Sequence, residues 1–241
     1  SIVAGNVLIN HNNKSLFTRL LTYFQMIEYR LAQNIEREIQ SLFKTVLICP
    51  GSLTAVKREV CTIIPYSDRT IVEDADFSFT TVGKYFKTVR VADANVYTNA
   101  PETLKAWFKQ RKRWWFGYLQ LCRIHKQWGA KNVWVVYSYA NHIVCLITII
   151  SIIMLPYILM QYSNATFVIR HGILYGFIFC LLYLVLVASY FLRDKKLLLM
   201  LIPYVFTYAI MGTFVLSYIY LCHLSGRGMK IQFGPRLIHA R

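Results

Sequence analysis

The chain has 241 residues, 56% of them hydrophobic, a mean hydropathy of +0.40 and a formal charge of +16 at pH 7, which is too apolar for an ordinary soluble domain. Residues 1–131 hold 19 of the 27 Lys and Arg and 10 of the 11 Asp and Glu, so a polar half precedes an apolar one. The positive charge forms no basic stripe on a recognisable nucleic-acid fold, which argues against that class; it suits a cytoplasmic membrane face, anionic lipid and an anionic substrate.

Residues 2–9 read as a strand, closed by an Asn-rich turn from Asn10 to Asn13. A chain that opens at Ser1 inside a strand is expected of a portion of a longer protein. Residues 15–43 read as helical, because Phe17, Leu20, Leu21, Phe24, Ile27, Leu31, Ile35, Ile39 and Leu42 recur mostly three or four apart. A short strand is expected over 45–49, ended by the turn Cys49-Pro50-Gly51-Ser52. Residues 70–80 approach an acidic loop, Glu73, Asp74 and Asp76, and then a helix. Residues 86–98 alternate and predict a strand and its neighbour. Strands alternating with helices give an α/β pattern.

A helix is expected over 102–126, with Trp107, Phe108, Trp114, Trp115 and Tyr118 interleaved with Lys and Arg. Such a helix suits a membrane interface. Three apolar runs follow, 133–161, 167–192 and 197–222, each long enough to cross a bilayer. Arg193, Lys195 and Lys196 mark a cytoplasmic turn between the last two. Three simple spans put the tail, 225–241, outside, whereas its Arg227, Lys230, Arg236 and Arg241 favour the inside. Either one run is re-entrant or interfacial, with Pro156 and Pro203 marking possible breaks, or the tail is external; a cytoplasmic tail is favoured. The six cysteines contain no C-x-x-C pair, so neither a zinc site nor a disulfide framework is expected.

Two groups of residues carry chemistry. A carboxylate within reach of an attacking hydroxyl can take its proton, and the acidic cluster supplies Asp74 with Glu73 beside it. The bland alternative is a group of carboxylates favouring a helix N-terminus. Gln110, Arg113 and Trp114 fall at i, i+3 and i+4 and so share one helix face. That face offers an amide, an indole that stacks on sugars, and a guanidinium fork that matches phosphate oxygens. Asp74 and Asp76 also spell D-x-D, a metal-binding pattern.

The order of Cys49-Pro50-Gly51-Ser52, Glu73-Asp74, Gln110-x-x-Arg113-Trp114 and apolar runs resembles the processive family 2 glycosyltransferases that build hyaluronan, chitin, cellulose and poly-N-acetylglucosamine. The resemblance implies an α/β partial GT-A-like domain over 1–101 and an amphipathic interface helix over 102–131. An α-helical transmembrane bundle over 132–224 and a basic tail over 225–241 would follow. It implies a base, not a metal ligand, at the place after the Pro-Gly-Ser turn and before Q-x-x-R-W. Asp74 would be that catalytic base with Glu73 as companion, and Gln110, Arg113 and Trp114 would hold the acceptor and the diphosphate. Cys49, Gly51 and Ser52 would lie near the acceptor sugar. Phe233, Gly234 and Arg236 resemble the gating loop of hyaluronan and chitin synthases.

The same resemblance implies a UDP-sugar donor, a polysaccharide acceptor, favoured as a hexosamine polymer, and a lipid bilayer as partners. The catalytic portion would face the cytoplasm at the plasma membrane. Mg²⁺ or Mn²⁺ is expected on the diphosphate, held by a D-x-D upstream of Ser1, with no metal ligands in this chain. The isolated chain is therefore expected not to turn over sugar. The alternative is a non-catalytic, truncated or split membrane protein that needs a partner chain for the donor site.

Overall fold

In a computed structural model of the chain, the described residues are 1–10, 15–125, 195–204, 207, 210–224, 229–233 and 236–240. The strand expected at 2–9 forms as β1, Ile2–Ile9, buried along most of its length. It pairs antiparallel with β2, Thr54–Val56, and parallel with β3, Thr88–Thr98, giving the order β2-β1-β3. The region expected as a strand and its neighbour is one strand. Its register slips where Ala4 faces Arg90 but Asn6 faces Asn95, and the bulge breaks the alternation in the sequence.

The helix expected over 15–43 is α1, Leu16–Leu31, a π-helical turn at Ala32–Glu36, and α2, Arg37–Leu42. Ser15 caps α1 by accepting the Thr18 N–H at 3.1 Å. The π turn places Gln33 against β1, where its amide accepts the Val7 N–H and donates to the Val7 carbonyl, both at 2.6 Å. Residues 45–49 form no strand, only the single bridge between Thr45 and Thr88. Side chains take the backbone groups a ladder would use: Leu47 N–H donates to Gln40 Oε1 at 3.1 Å, and Cys49 N–H to Ser78 Oγ at 3.1 Å. The short helix α3, Arg58–Ile63, was not expected.

Helix α4, Glu73–Gly83, lies between two clusters of buried side chains. Its Phe77 packs with Ile2, Ala4, Val46, Cys49, Val60 and Ile64 beside the sheet. Its Ala75, Phe79 and Val82 pack with Leu47 and with Leu121 of α5, Leu104–Ile124. Ala75, Phe79 and Val82 are spaced i, i+4 and i+7, one stripe of the helix. Thr103 caps α5 by accepting the Ala106 N–H at 3.2 Å.

Beyond α5, the runs 133–161 and 167–192 lie outside the described residues. The run 197–222, expected as one span, contributes two shorter helices, α6, Lys195–Pro203, and α7, Ile210–Leu224. No helix among the described residues is long and apolar enough to cross a membrane. The expected bundle therefore has no support from them. Pro203, expected as a possible break, is the last residue of α6, and Tyr204 and Thr207 beyond it are π-helical. The chain divides into two units, 1–141 with 214–241, and 142–213. Part of the expected tail is a hairpin of β4, Met229–Phe233, and β5, Arg236–Ala240.

Candidate active site

Three of the first four residues of α4 are acidic, which suits the positive end of the helix. Asp74 is half-buried there. Its Oδ2 accepts the Gly51 N–H at 2.9 Å and its Oδ1 the Ala75 N–H at 2.8 Å. The Ser78 hydroxyl donates to the Asp74 carbonyl at 2.8 Å and accepts the Cys49 N–H at 3.1 Å. The turn Cys49 to Ser52 and the head of α4 are thus tied twice. A Cβ on Gly51 would come within 3.3 Å of Asp74 Oδ2, so glycine permits this approach. An ionised carboxylate has about four acceptor positions, so these two N–H bonds leave Asp74 able to take a proton.

Gly51 and Ser52 are exposed, and Glu73 is half-buried at the first position of α4. Cys49 differs. Its side chain is buried in the core beside the sheet, and burial pushes its thiol up to about 11. It stays a neutral thiol near neutral pH, and the exposed surface of the turn comes from Gly51 and Ser52.

Asp76, two residues on, points to another side of the helix, since i and i+2 do not share a face. Its side chain is 3% exposed and takes Arg69 Nε at 2.7 Å, Arg69 Nη2 at 2.9 Å and His125 Nε2 at 2.6 Å. Burial pushes its carboxyl up, but the hydrogen bonds from His125 and Arg69 more than offset this and hold it below the ordinary value. A carboxylate saturated in this way does not fit a metal cradle shared with Asp74. Among the described residues no group of three His, Cys, Asp or Glu could hold a metal ion.

On α5, Gln110, Arg113 and Trp114 are all half-buried. Arg111, between them in sequence, is 2% exposed. Its Nε donates to Glu28 Oε1 at 3.1 Å, its Nη2 pairs with Glu28 Oε2, and its Nη1 donates to Gln110 Oε1. Its guanidinium lies 5.6 Å from the Trp107 ring centre and 4.4 Å from that of Trp114. Tyr29 of α1 meets Trp114 at 6.2 Å. The Q-x-x-R-W face is therefore braced from behind by α1.

Gln110, Arg113, Trp114 and Gly117 follow one stripe of α5. Gly117 meets Val72, the residue before α4; a Cβ there would stand 2.6 Å from both Val72 methyl carbons. Phe79 and Tyr118 pack edge-on at 6.1 Å, and Asp76 bonds His125 at the end of α5. The stripe expected to hold an acceptor thus leads to the head of the helix that carries Asp74.

Sequence reasoning missed the roles of Arg111, Asp76 and His125. Arg111 looked like a spacer inside the motif, and His125 gave no signal, being 49 residues from its partner. The hydrogen bonds described for Gln25, Glu28, Gln33 and Asn34 are internal to the fold. At the tail, the backbones of Phe233 and Arg236 pair at the closed end of the β4–β5 hairpin, and Gly234 lies outside the described residues.

Over 178 residues, 69% of the chain, the sequence is 28% identical to the hyaluronan synthase of Streptococcus pyogenes. Over 121 residues, 46% of the chain, it is 29% identical to the N-acetylglucosaminyltransferases of Rhizobium meliloti and Azorhizobium caulinodans. These matches cover 39%, 28% and 30% of the respective relatives, so the chain spans well under half their length. Residues 1–224, which include β1, the Asp74 turn and the Q-x-x-R-W helix, match glycosyl transferase family group 2, and the chain belongs to that family.

Proposed function

We propose that this chain carries the base and the acceptor site of a membrane-embedded, inverting glycosyltransferase that extends a hexosamine polysaccharide processively from a UDP-sugar. The observation that supports it best is Asp74, whose Oδ2 is steadied by the Gly51 N–H at 2.9 Å at the head of a helix packed against the Q-x-x-R-W helix. In a single displacement the acceptor hydroxyl attacks the anomeric carbon. The hydroxyl proton passes to the Asp74 carboxylate, and the bond from the anomeric carbon to the diphosphate breaks, its electron pair leaving with UDP. Glu73 keeps the site anionic. Trp114 and Gln110 hold acceptor sugar, Arg113 meets the diphosphate, and Gly51 and Ser52 line the approach.

A divalent metal on the diphosphate belongs to this reading, held by the donor-binding portion of the full protein or by a partner chain. The basic and aromatic residues of α5 support a position at a cytoplasmic membrane face, and in this reading the apolar runs from 133 onward carry the product outward through the bilayer. Phe233 and Arg236, paired at the ends of β4 and β5, act in this reading as gating residues over the nucleotide.

The test is Asp74→Asn in the full native protein, with radiolabelled UDP-N-acetylglucosamine as donor. Transfer should fall by about a thousandfold at unchanged folding. Undiminished transfer would favour a chain that is non-catalytic. The 241-residue chain alone should show no metal-dependent transfer or hydrolysis, and activity there would overturn the assignment of the donor site elsewhere.

A further inference from the structure

Between α3 and α4 the chain passes through Pro65, Tyr66, Ser67, Asp68 and Arg69. Both ends of this loop are fixed. Ile64 is buried in the core beside the sheet. Arg69 bonds both oxygens of Asp76 and reaches the Thr80 hydroxyl at 3.3 Å, and the Ile71 N–H meets Gln120 Oε1 of α5 at 3.4 Å.

Within this anchored loop Tyr66 remains 55% exposed. Its ring lies parallel to that of Phe77, 4.2 Å away with 5° between the planes, and Phe77 is itself 2% exposed. One face of Tyr66 is therefore covered by a buried ring, and solvent has the other. Phe77 follows Asp74 by three residues, one turn along the same face of α4. Partial burial, and then the neighbouring groups Cys61, Asp74, Cys49 and Glu73, push the Tyr66 phenol up, which agrees with a position beside the acidic cluster. A flat ring supported from below and held by a pinned loop loses little freedom when a ligand covers it. Pyranose rings present an apolar C–H face that suits such a plane.

We propose that Tyr66 is a stacking platform for a pyranose unit of the acceptor, next to Asp74 and separate from Trp114. The inference rests on the reading of Asp74 as the base. It makes Tyr66 a binding residue, with no bond made or broken at its side chain.

The experiment is titration of the full native protein, in detergent, with the β-linked N-acetylglucosamine pentamer, read by saturation-transfer NMR and by calorimetry. Tyr66→Ala should weaken binding about fivefold, the value of one aromatic stacking contact. Tyr66→Leu, which still covers Phe77 and protects folding, should weaken it similarly, while Tyr66→Phe and Tyr66→Trp should restore most of it. Pentamer binding that is lost in Trp114→Ala but unchanged in both Tyr66→Ala and Tyr66→Leu would overturn this inference and leave the proposed function standing. Failure of the native protein to bind the pentamer at all would overturn the hexosamine acceptor and the platform together.

Discussion

Two carboxylates two residues apart on α4 have opposite surroundings. Asp74 is half-buried and holds two backbone N–H groups, whereas Asp76 is buried and saturated by Arg69 and His125. On α5 the same division recurs, with Arg111 buried against Glu28 and two indoles, and Gln110, Arg113 and Trp114 half-open on the neighbouring positions. A charge that the fold surrounds with partners fixes helices in place. A charge left with spare acceptor capacity beside an exposed turn can do chemistry. On α4 the two classes separate because positions i and i+2 face different ways.

The largest expected effect separates the two carboxylates. Asp74→Asn should lower the turnover number about a thousandfold while the unfolding midpoint stays put. Asp76→Asn should do the reverse. It leaves a buried His125 and a half-exposed Arg69 without their carboxylate, a loss of about 3 kcal/mol. The unfolding midpoint should drop, and turnover per folded molecule should remain near native. If the phenotypes exchange, the assignment of base and brace is reversed.

Acidification sharpens the same comparison. A carboxyl whose folded value is depressed contributes stability above its unfolded value and loses it as pH falls through the folded one. For Asp76, with an ordinary value of 3.8 and a folded value below it, the loss begins below about pH 4. Unfolding midpoints measured from pH 7 downward should therefore fall more steeply below that point in the native protein than in Asp76→Asn. Equal slopes would mean that Asp76 is not the group responsible.

Gly117 tests whether the two helices must touch. A Cβ there would stand 2.6 Å from both Val72 methyl carbons and 3.2 Å from Ile71 Cγ1. Gly117→Ala should destabilise by about 2 kcal/mol through overpacking, and it should raise the acceptor KM as the stripe on α5 moves away from Asp74. Val72→Ala in the same chain makes room and should recover part of both. A stability loss with no change in acceptor KM would show that the packing of α4 on α5 does not position the site.

Much of this was legible in the sequence, because strong local signals and the true structure agreed. The period of the apolar residues in 15–43 found the long helix, and the spacing of Gln110, Arg113 and Trp114 found a shared face. The failures have physical causes. Residues 45–49 look like a strand, but Gln40 and Ser78 side chains take backbone N–H groups that a ladder would use. The bulge in β3 between Arg90 and Asn95 made that strand look like two. The bracing contacts were invisible for another reason. Arg111 finds Glu28 at a separation of 83 residues and Asp76 finds His125 at 49, and no local period encodes such pairs. Asp74 was singled out in the sequence as the candidate base, and its bond to Gly51 spans 23 residues. There the choice came from the resemblance of motif order, not from periodicity.

Gly51→Ala carries the smallest expected effect and probes the turn itself. The added methyl would stand 3.5 Å from Asp74 Cβ, an ordinary contact, and 3.3 Å from Asp74 Oδ2, a tight one relieved by a shift of a few tenths of an ångström. The backbone N–H that donates to Asp74 is kept. Stability should therefore change by less than about 0.5 kcal/mol. A base displaced by that little should still lose about threefold in turnover, since proton transfer and attack need near-contact geometry. Asn at position 74 removes the proton acceptor whatever its placement, so Gly51→Ala should cost nothing further in the Asp74→Asn background. An additional loss there would mean that Gly51 acts on the acceptor directly, and the turn would then be a contact surface for sugar in its own right.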